Sequence, residues 1–109
     1  MSLAGWIGVD LDGTLAYYDR FVSDRHIGAP VPAMVARVKA WLAEGKDVRI
    51  FTARAVSLDS VDAIEEWCAT NLGVILRVTN TKDYGMIRLY DDRCVQVEAN
   101  TGRLLGEGQ

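Results

Sequence analysis

Four aspartates stand in two pairs far apart in the chain, Asp10 and Asp12 near its start, Asp91 and Asp92 near its end. The first pair lies in Trp6-Ile7-Gly8-Val9-Asp10-Leu11-Asp12-Gly13-Thr14, where an apolar run reads as a buried strand and the two acids end it. Side chains two apart on an extended backbone share a face, so both carboxylates can look at one point. Gly13 lets the chain turn sharply and brings a bare amide close to any anion there. Two acids converging at a strand's carboxyl end suit a hard, oxygen-loving cation such as Mg²⁺. They also suit a division of labour in which one carboxylate attacks phosphorus and the other moves a proton. The same residues build ordinary surface turns whose aspartates cap backbone amides, so the rest of the chain must choose.

The elements that would position these groups follow from periodicity. Residues 15 to 30 mix Tyr17, Tyr18 and Phe21 with charges and end on Gly28 and Pro30, which predicts a loop or short hairpin over the strand end. His26, the one histidine, reads as a surface residue. Val31-Pro32 opens a helix with Val35, Val38 and Leu42 on one stripe, stopped by Gly45. Val48 to Thr52 is a second strand. A second helix from about Asp59 to Leu72 buries Val61, Ile64, Cys68 and Leu72 and is capped by Gly73. Val74 to Thr79 and Met86 to Tyr90 read as strands three and four, and Cys94 to Val97 with Arg103 to Leu105 as a closing hairpin.

Strands alternating with helices predict a mainly parallel sheet with helices on both faces, a Rossmann-like three-layer α/β/α fold. Ligands of such sheets sit beyond the carboxyl ends of the strands. Asp10 and Asp12, Thr52, the Lys82 region, and Asp91 with Asp92 should therefore converge. Moving a phosphoryl group needs positioning and charge neutralisation more than unusual side chains. The Thr52 hydroxyl and the Ala53 amide would hold one phosphate oxygen, and Lys82 would neutralise another. Asp91 and Asp92 would complete a Mg²⁺ shell with Asp10 and the backbone carbonyl of Asp12. Each part has a plainer reading: a strand-end cap for Thr52, a solvated charge for Lys82, a simple turn for Asp91-Asp92-Arg93.

The bulk composition narrows the class. A chain of 109 residues is one domain spanning 1–109, large enough for a core and too short for two. Twelve basic against fifteen acidic residues give a net charge of −3, which does not favour unaided nucleic-acid binding, although Arg20, Arg25, Arg54 and Arg93 leave a local patch open. No apolar run reaches membrane-spanning length and no signal-peptide pattern stands at the start, so the expected location is cytoplasmic, with no membrane partner. Met1-Ser2-Leu3 is set aside as a tail. Cys68 and Cys94 are too few and too distant for a disulfide framework or zinc site. Oligomeric state is left open.

The order Asp10-Leu11-Asp12-Gly13-Thr14, Thr52, Lys82, Asp91-Asp92 resembles the haloacid dehalogenase superfamily of aspartate-nucleophile phosphohydrolases, over residues 6 to about 97. The resemblance implies a Rossmann-like fold, Mg²⁺ and a covalent aspartyl-phosphate on Asp10. It makes Asp12 the acid toward the leaving group and then the base for water. Thr52 and Lys82 would bind phosphate, and Asp92 would be the inner-sphere metal ligand with Asp91 beside it or acting through water. Thr52-Ala53-Arg54 and Asp91-Asp92-Arg93 are also similar to stretches in the phosphatase domain of polynucleotide kinase-phosphatases, which makes Arg54 either an oxyanion clamp or the partner of a neighbouring acid. The brevity of the chain resembles small phage and bacterial members. Cap domains in this superfamily are inserted after the first or second motif, and neither 15–51 nor 55–81 has room for one. A capless, open site suits bulky phosphorylated substrates such as a phosphate on a polymer end. Non-catalytic phosphate or partner binding, and transfer to an acceptor other than water, are the rival functions.

One feature departs from that pattern. Only Asn80 to Gly85 separate strands three and four, where a crossover between parallel strands needs a dozen or more residues. Either strand three ends early or the expected helix shrinks to one turn, and the position of Lys82 depends on which.

Overall fold

The computed structural model describes residues 5–106; Met1-Ser2-Leu3 lies outside them. The described chain runs β1 (Trp6–Val9), α1 (Pro32–Ala43), β2 (Asp47–Phe51), a single 3-10 turn (Ala53–Val56), α2 (Leu58–Leu72), β3 (Val78–Thr79) and β4 (Met86–Tyr90). A separate antiparallel hairpin, β5 (Gln96–Val97) and β6 (Leu104–Leu105), follows. The main sheet has the order β3-β2-β1-β4 with every neighbouring pair parallel. The parallel α/β architecture is as expected.

The layers differ from expectation. The steps β1 to β2 and β2 to β3 both move toward the same edge, and right-handed crossovers of that kind place their helices on one face. Accordingly Ile7, Val9, Val48 and Ile50 from the strands share one apolar core with Val38 of α1 and with Ile64, Cys68 and Leu72 of α2. Alternation sends their neighbours to the other face. There Trp6, Arg49 and Phe51 cover one another, with the Arg49 guanidinium 4.6 Å from the Trp6 ring centroid and the two aromatic rings 6.4 Å apart. Among the described residues no helix covers that face. The third layer is replaced by side chains and one strap of backbone.

That strap is the short crossover. Strand three ends at Thr79 as predicted but begins late, and the crossover holds no helix: β3 keeps only Val78–Thr79 of the predicted Val74 to Thr79, while Val74 and Ile75 are exposed. Thr79 pairs with Phe51, whereas Met86 pairs with Trp6, itself level with Asp47. The chain must therefore pass three strands sideways and four residues down, a diagonal of about 20 Å. Seven residues can span about 24 Å when nearly extended. No helix can form under that constraint. The strap is latched by Trp6, whose indole N–H donates to Asp83 Oδ1 at 2.8 Å and whose backbone N–H donates to the Gly85 carbonyl.

The helices begin and end as their residues dictate. Pro32 occupies the first turn of α1, where a missing N–H costs nothing. Ser57 caps α2 by accepting from the Ser60 N–H, and Gly73 closes it in the left-handed region. Cys68 is a small core residue as predicted, and burial pushes its thiol pKa up. Residues 17–29 form a loop closed at its base, where Ala16 bridges Pro30 and the Tyr17 N–H donates to Ala29. Gly28 is required there, since a Cβ would lie 2.0 Å from the Tyr17 carbonyl oxygen. No helix among the described residues is long and apolar enough to cross a membrane.

Candidate active site

Strand β1 is central and ends at Val9, so Asp10 emerges at the carboxyl end of the sheet beside the end of β4. Its N–H continues the ladder by donating to the Tyr90 carbonyl at 2.9 Å, which sets Asp10 next to Asp91 and Asp92. The backbone then winds into a tight turn in which the Leu11 carbonyl accepts from the N–H groups of Thr14, Leu15 and Ala16. Gly13 sits in this turn at φ +91°, and a Cβ on it would meet Asp92 Oδ2 at 2.6 Å. The glycine thus supplies both a conformation and the room that Asp92 occupies.

Asp10, Asp91 and Asp92 each bring one carboxylate oxygen to within 4.8 Å of the other two. Burial first, then the charge of Asp91, then hydrogen bonding and charge from Asp92 push the Asp10 pKa from its ordinary 3.8 up to about 7. The cluster suits a hard divalent cation, because three carboxylates crowded on a half-buried spot are a donor set that lacks its counter-charge. Thr14 organises it: its hydroxyl accepts from the Asp92 N–H at 2.9 Å and donates toward Asp92 Oδ1 at 3.0 Å, with Asp10 Oδ2 at 3.5 Å. No role was read for Thr14 from the sequence, although its place directly after Asp-x-Asp-Gly was the available signal.

Asp12 faces elsewhere. Arg54 grips it, Nε to Oδ2 at 2.7 Å and Nη2 to Oδ1 at 3.3 Å. The remaining Arg54 nitrogen donates to the carbonyls of Ser23 and Asp24, tying the 17–29 loop to the site. Of the two roles open for Arg54, the geometry contains the ion pair with a neighbouring acid. Thr52 is buried at the end of β2, and its hydroxyl accepts from the Arg54 N–H at 3.1 Å, so it caps the 3-10 turn. Ala53 lies beside it on the wall of the same cleft.

This cleft, about 580 Å³, holds Asp10, Asp12, Thr52, Ala53, Arg54, Asp91 and Asp92 together. Tyr18, Phe51 and Arg93 also line it; from the sequence Tyr18 belongs to the loop expected over the strand end, Arg93 to a basic patch and to the Asp91-Asp92-Arg93 stretch, and Phe51 only to strand two. Lys82 is not among them. It rides on the extended strap and lines a different hollow of about 770 Å³ along β4, shared with Asp91 and Cys94. The expected convergence therefore holds for seven of the eight proposed residues and not for Lys82. The physical reason is the strap itself: without a crossover helix, nothing returns residue 82 to the carboxyl edge of the sheet.

No family model matches the chain, and no curated protein matches it. Among solved structures, a conserved locus-encoded protein from Bacteroides thetaiotaomicron is similar, with a TM-score of 0.64 and 24% sequence identity over 84% of this chain and 78% of that one. At that identity the likeness bears on the fold, a parallel α/β sheet of the Rossmann-like kind.

Proposed function

We propose that this protein is a Mg²⁺-dependent phosphomonoesterase of the haloacid dehalogenase type that works through an aspartyl-phosphate on Asp10. The observation that carries the reading is the meeting of Asp10, Asp91 and Asp92 within 4.8 Å at the carboxyl end of the central parallel strand. Asp10, Asp91, Asp92 and the backbone carbonyl of Asp12 would hold the ion, which when bound offsets the negative charge of the cluster and of the substrate phosphate. Four carboxylates against two guanidinium groups line the cleft, so a phosphate dianion entering without a cation would be repelled.

The chain's own groups then have distinct tasks. An Asp10 oxygen attacks phosphorus as the bond to the leaving oxygen breaks, and Asp12 gives that oxygen its proton. In the second half Asp12 takes a proton from water, the water oxygen bonds to phosphorus, and the bond to Asp10 breaks to release phosphate. An opening of the Arg54 fork away from Asp12 would free guanidinium donors for the phosphate, alongside the Ala53 amide and, at the rim, Arg93. Transfer to another acceptor would use the same intermediate. The intervals 15–51 and 55–81 carry only the loop, the helices and the strands already described, so among the described residues no inserted domain covers the cleft, which suits bulky phosphorylated substrates. Two free cysteines fit a reducing compartment such as the cytoplasm.

The test is a screen of phosphate monoesters with Mg²⁺ or a chelator, including 3′- and 5′-phosphorylated oligonucleotides, beside Asp10→Asn. Turnover should need the metal, vanish in the variant, and leave a phosphoryl mass on wild-type Asp10 in rapid-quench mass spectrometry. Equal turnover by Asp10→Asn would sink the reading. A second reading, a phosphate-binding module with little turnover, is favoured by the Arg54 grip on Asp12 and by Lys82 lying outside the cleft. It predicts Mg²⁺-dependent phosphate binding with no labelled Asp10.

A further inference from the structure

Four large apolar side chains stand exposed on the 17–29 loop, one of them, Tyr18, on the wall of the cleft. Within six residues Tyr17, Tyr18, Phe21 and Val22 are between 47% and 60% exposed, and Tyr18 lines the cleft that holds Asp10. Clustered exposure of this kind marks a contact surface more often than an accident of packing. The backbone beneath is firmly held. The loop base is closed by the Ala16–Pro30 bridge, and Arg54 donates to the Ser23 and Asp24 carbonyls. Ser60 Oγ donates to the Asp24 carbonyl, and Arg25 reaches Asp62 at 2.9 Å and Glu66 at 3.0 Å on α2. A ring on so fixed a loop loses little freedom on binding, which is the property that makes aromatic anchors effective. A second ring, Phe51, lines the same cleft from the end of β2. Arg93, on the same wall as the acid cluster, has no ion-pair partner among the described residues.

We infer that the cleft carries a leaving-group subsite for a planar ring, with Tyr18 as its stacking platform. The ligand class is a phosphate monoester whose alcohol bears an aromatic ring, and a nucleoside and an aryl group are its two sources. A cleft of about 580 Å³ has room for such a ligand beside the phosphate position. The inference rests on the phosphomonoesterase reading for its reaction, but its ring contact can be measured apart from turnover.

The experiment compares wild type, Tyr18→Ala and Tyr18→Phe on thymidine 5′-monophosphate, phosphotyrosine and glycerol phosphate with Mg²⁺. The readout is the ratio of kcat/KM for a ring-bearing ester to that for glycerol phosphate. Tyr18→Ala should lower this ratio about tenfold, mainly through KM, while Tyr18→Phe keeps it within about twofold. Whichever ring-bearing ester shows the larger fall identifies the source. In parallel, calorimetry on Asp10→Asn with Mg²⁺, with and without Tyr18→Ala, measures thymidine 5′-monophosphate against inorganic phosphate. Tyr18-dependent binding by Asp10→Asn, beside a wild-type protein that turns over no ester, would keep the subsite and overturn the phosphatase reading. Turnover with an unchanged ratio would overturn the subsite alone. Neither turnover nor Tyr18-dependent binding would overturn both.

Discussion

Arg54 and Asp12 are joined by two parallel hydrogen bonds, Nε to Oδ2 at 2.7 Å and Nη2 to Oδ1 at 3.3 Å, with the Arg54 side chain only 9% exposed. The same guanidinium holds the backbone of the 17–29 loop through Ser23 and Asp24. One side chain thus connects the proton-handling acid of the proposed reaction to the loop that forms the rim.

Replacing Arg54 should therefore loosen the loop as well as the site. Arg54→Ala leaves Asp12 and two loop carbonyls without donors, a loss of about 2–3 kcal/mol. Urea unfolding should show it, and limited proteolysis should cut first between residues 17 and 29. Arg54→Lys should recover less than half, because an ammonium cannot span both Asp12 oxygens and the loop. Unchanged proteolysis of Arg54→Ala would mean that Ser57, Ser60 and Arg25 suffice to hold the loop.

The raised Asp10 pKa sets a pH dependence for the metal-free protein. Its folded value, about 7, lies above the ordinary 3.8, so its protonated form stabilises the fold below about pH 4 and that contribution is lost as pH rises to 7. Between pH 5 and 8, above the range where the depressed Asp83 and Glu98 titrate, Tm without metal should fall. With solvent screening allowed for, the loss is about 1 kcal/mol, or about 5 °C. Mg²⁺ should flatten the slope, and Asp10→Asn should remove it and raise the metal-free Tm at pH 8.

Gly13→Ala tests the room that the glycine leaves. Its Cβ would stand 2.6 Å from Asp92 Oδ2 at a backbone φ of +91°, so the carboxylate must move. Mg²⁺ affinity should drop about tenfold or more. Gly45→Ala is the control, since φ is +81° but nothing lies within 4 Å. It should cost about 1 kcal/mol of stability and leave metal affinity unchanged.

Lys82→Ala should change kcat/KM by less than about twofold, because Lys82 lines the β4 hollow and not the cleft. Arg93→Ala, at the cleft itself, should raise KM about tenfold for phosphate monoesters, the loss of one charge-assisted contact. A large effect of Lys82→Ala with none from Arg93→Ala would mean that the strap refolds toward the site when substrate binds.

Much of this molecule was legible locally. The apolar run ending in Asp10-Leu11-Asp12-Gly13 announced a central strand with acids at its carboxyl end, because burial and turning are properties of neighbouring residues. The stripe through Val38 and the stripe through Ile64, Cys68 and Leu72 gave both helices, with Pro32, Gly45 and Gly73 marking where they start and stop. Alternating strands and helices then implied a parallel sheet and the meeting of Asp10 with Asp91 and Asp92. The tertiary structure decided what depends on distance across the fold. Arg54 had two readings because its partner is 42 residues away, and only the loop and turn geometry turn its fork onto Asp12. Lys82 had the right residue type in the right order. Its place follows instead from the diagonal between the far edge of the sheet and β4, which seven residues can bridge only when extended. The same diagonal removed the second helical layer, because a chain pulled nearly straight has no slack to coil.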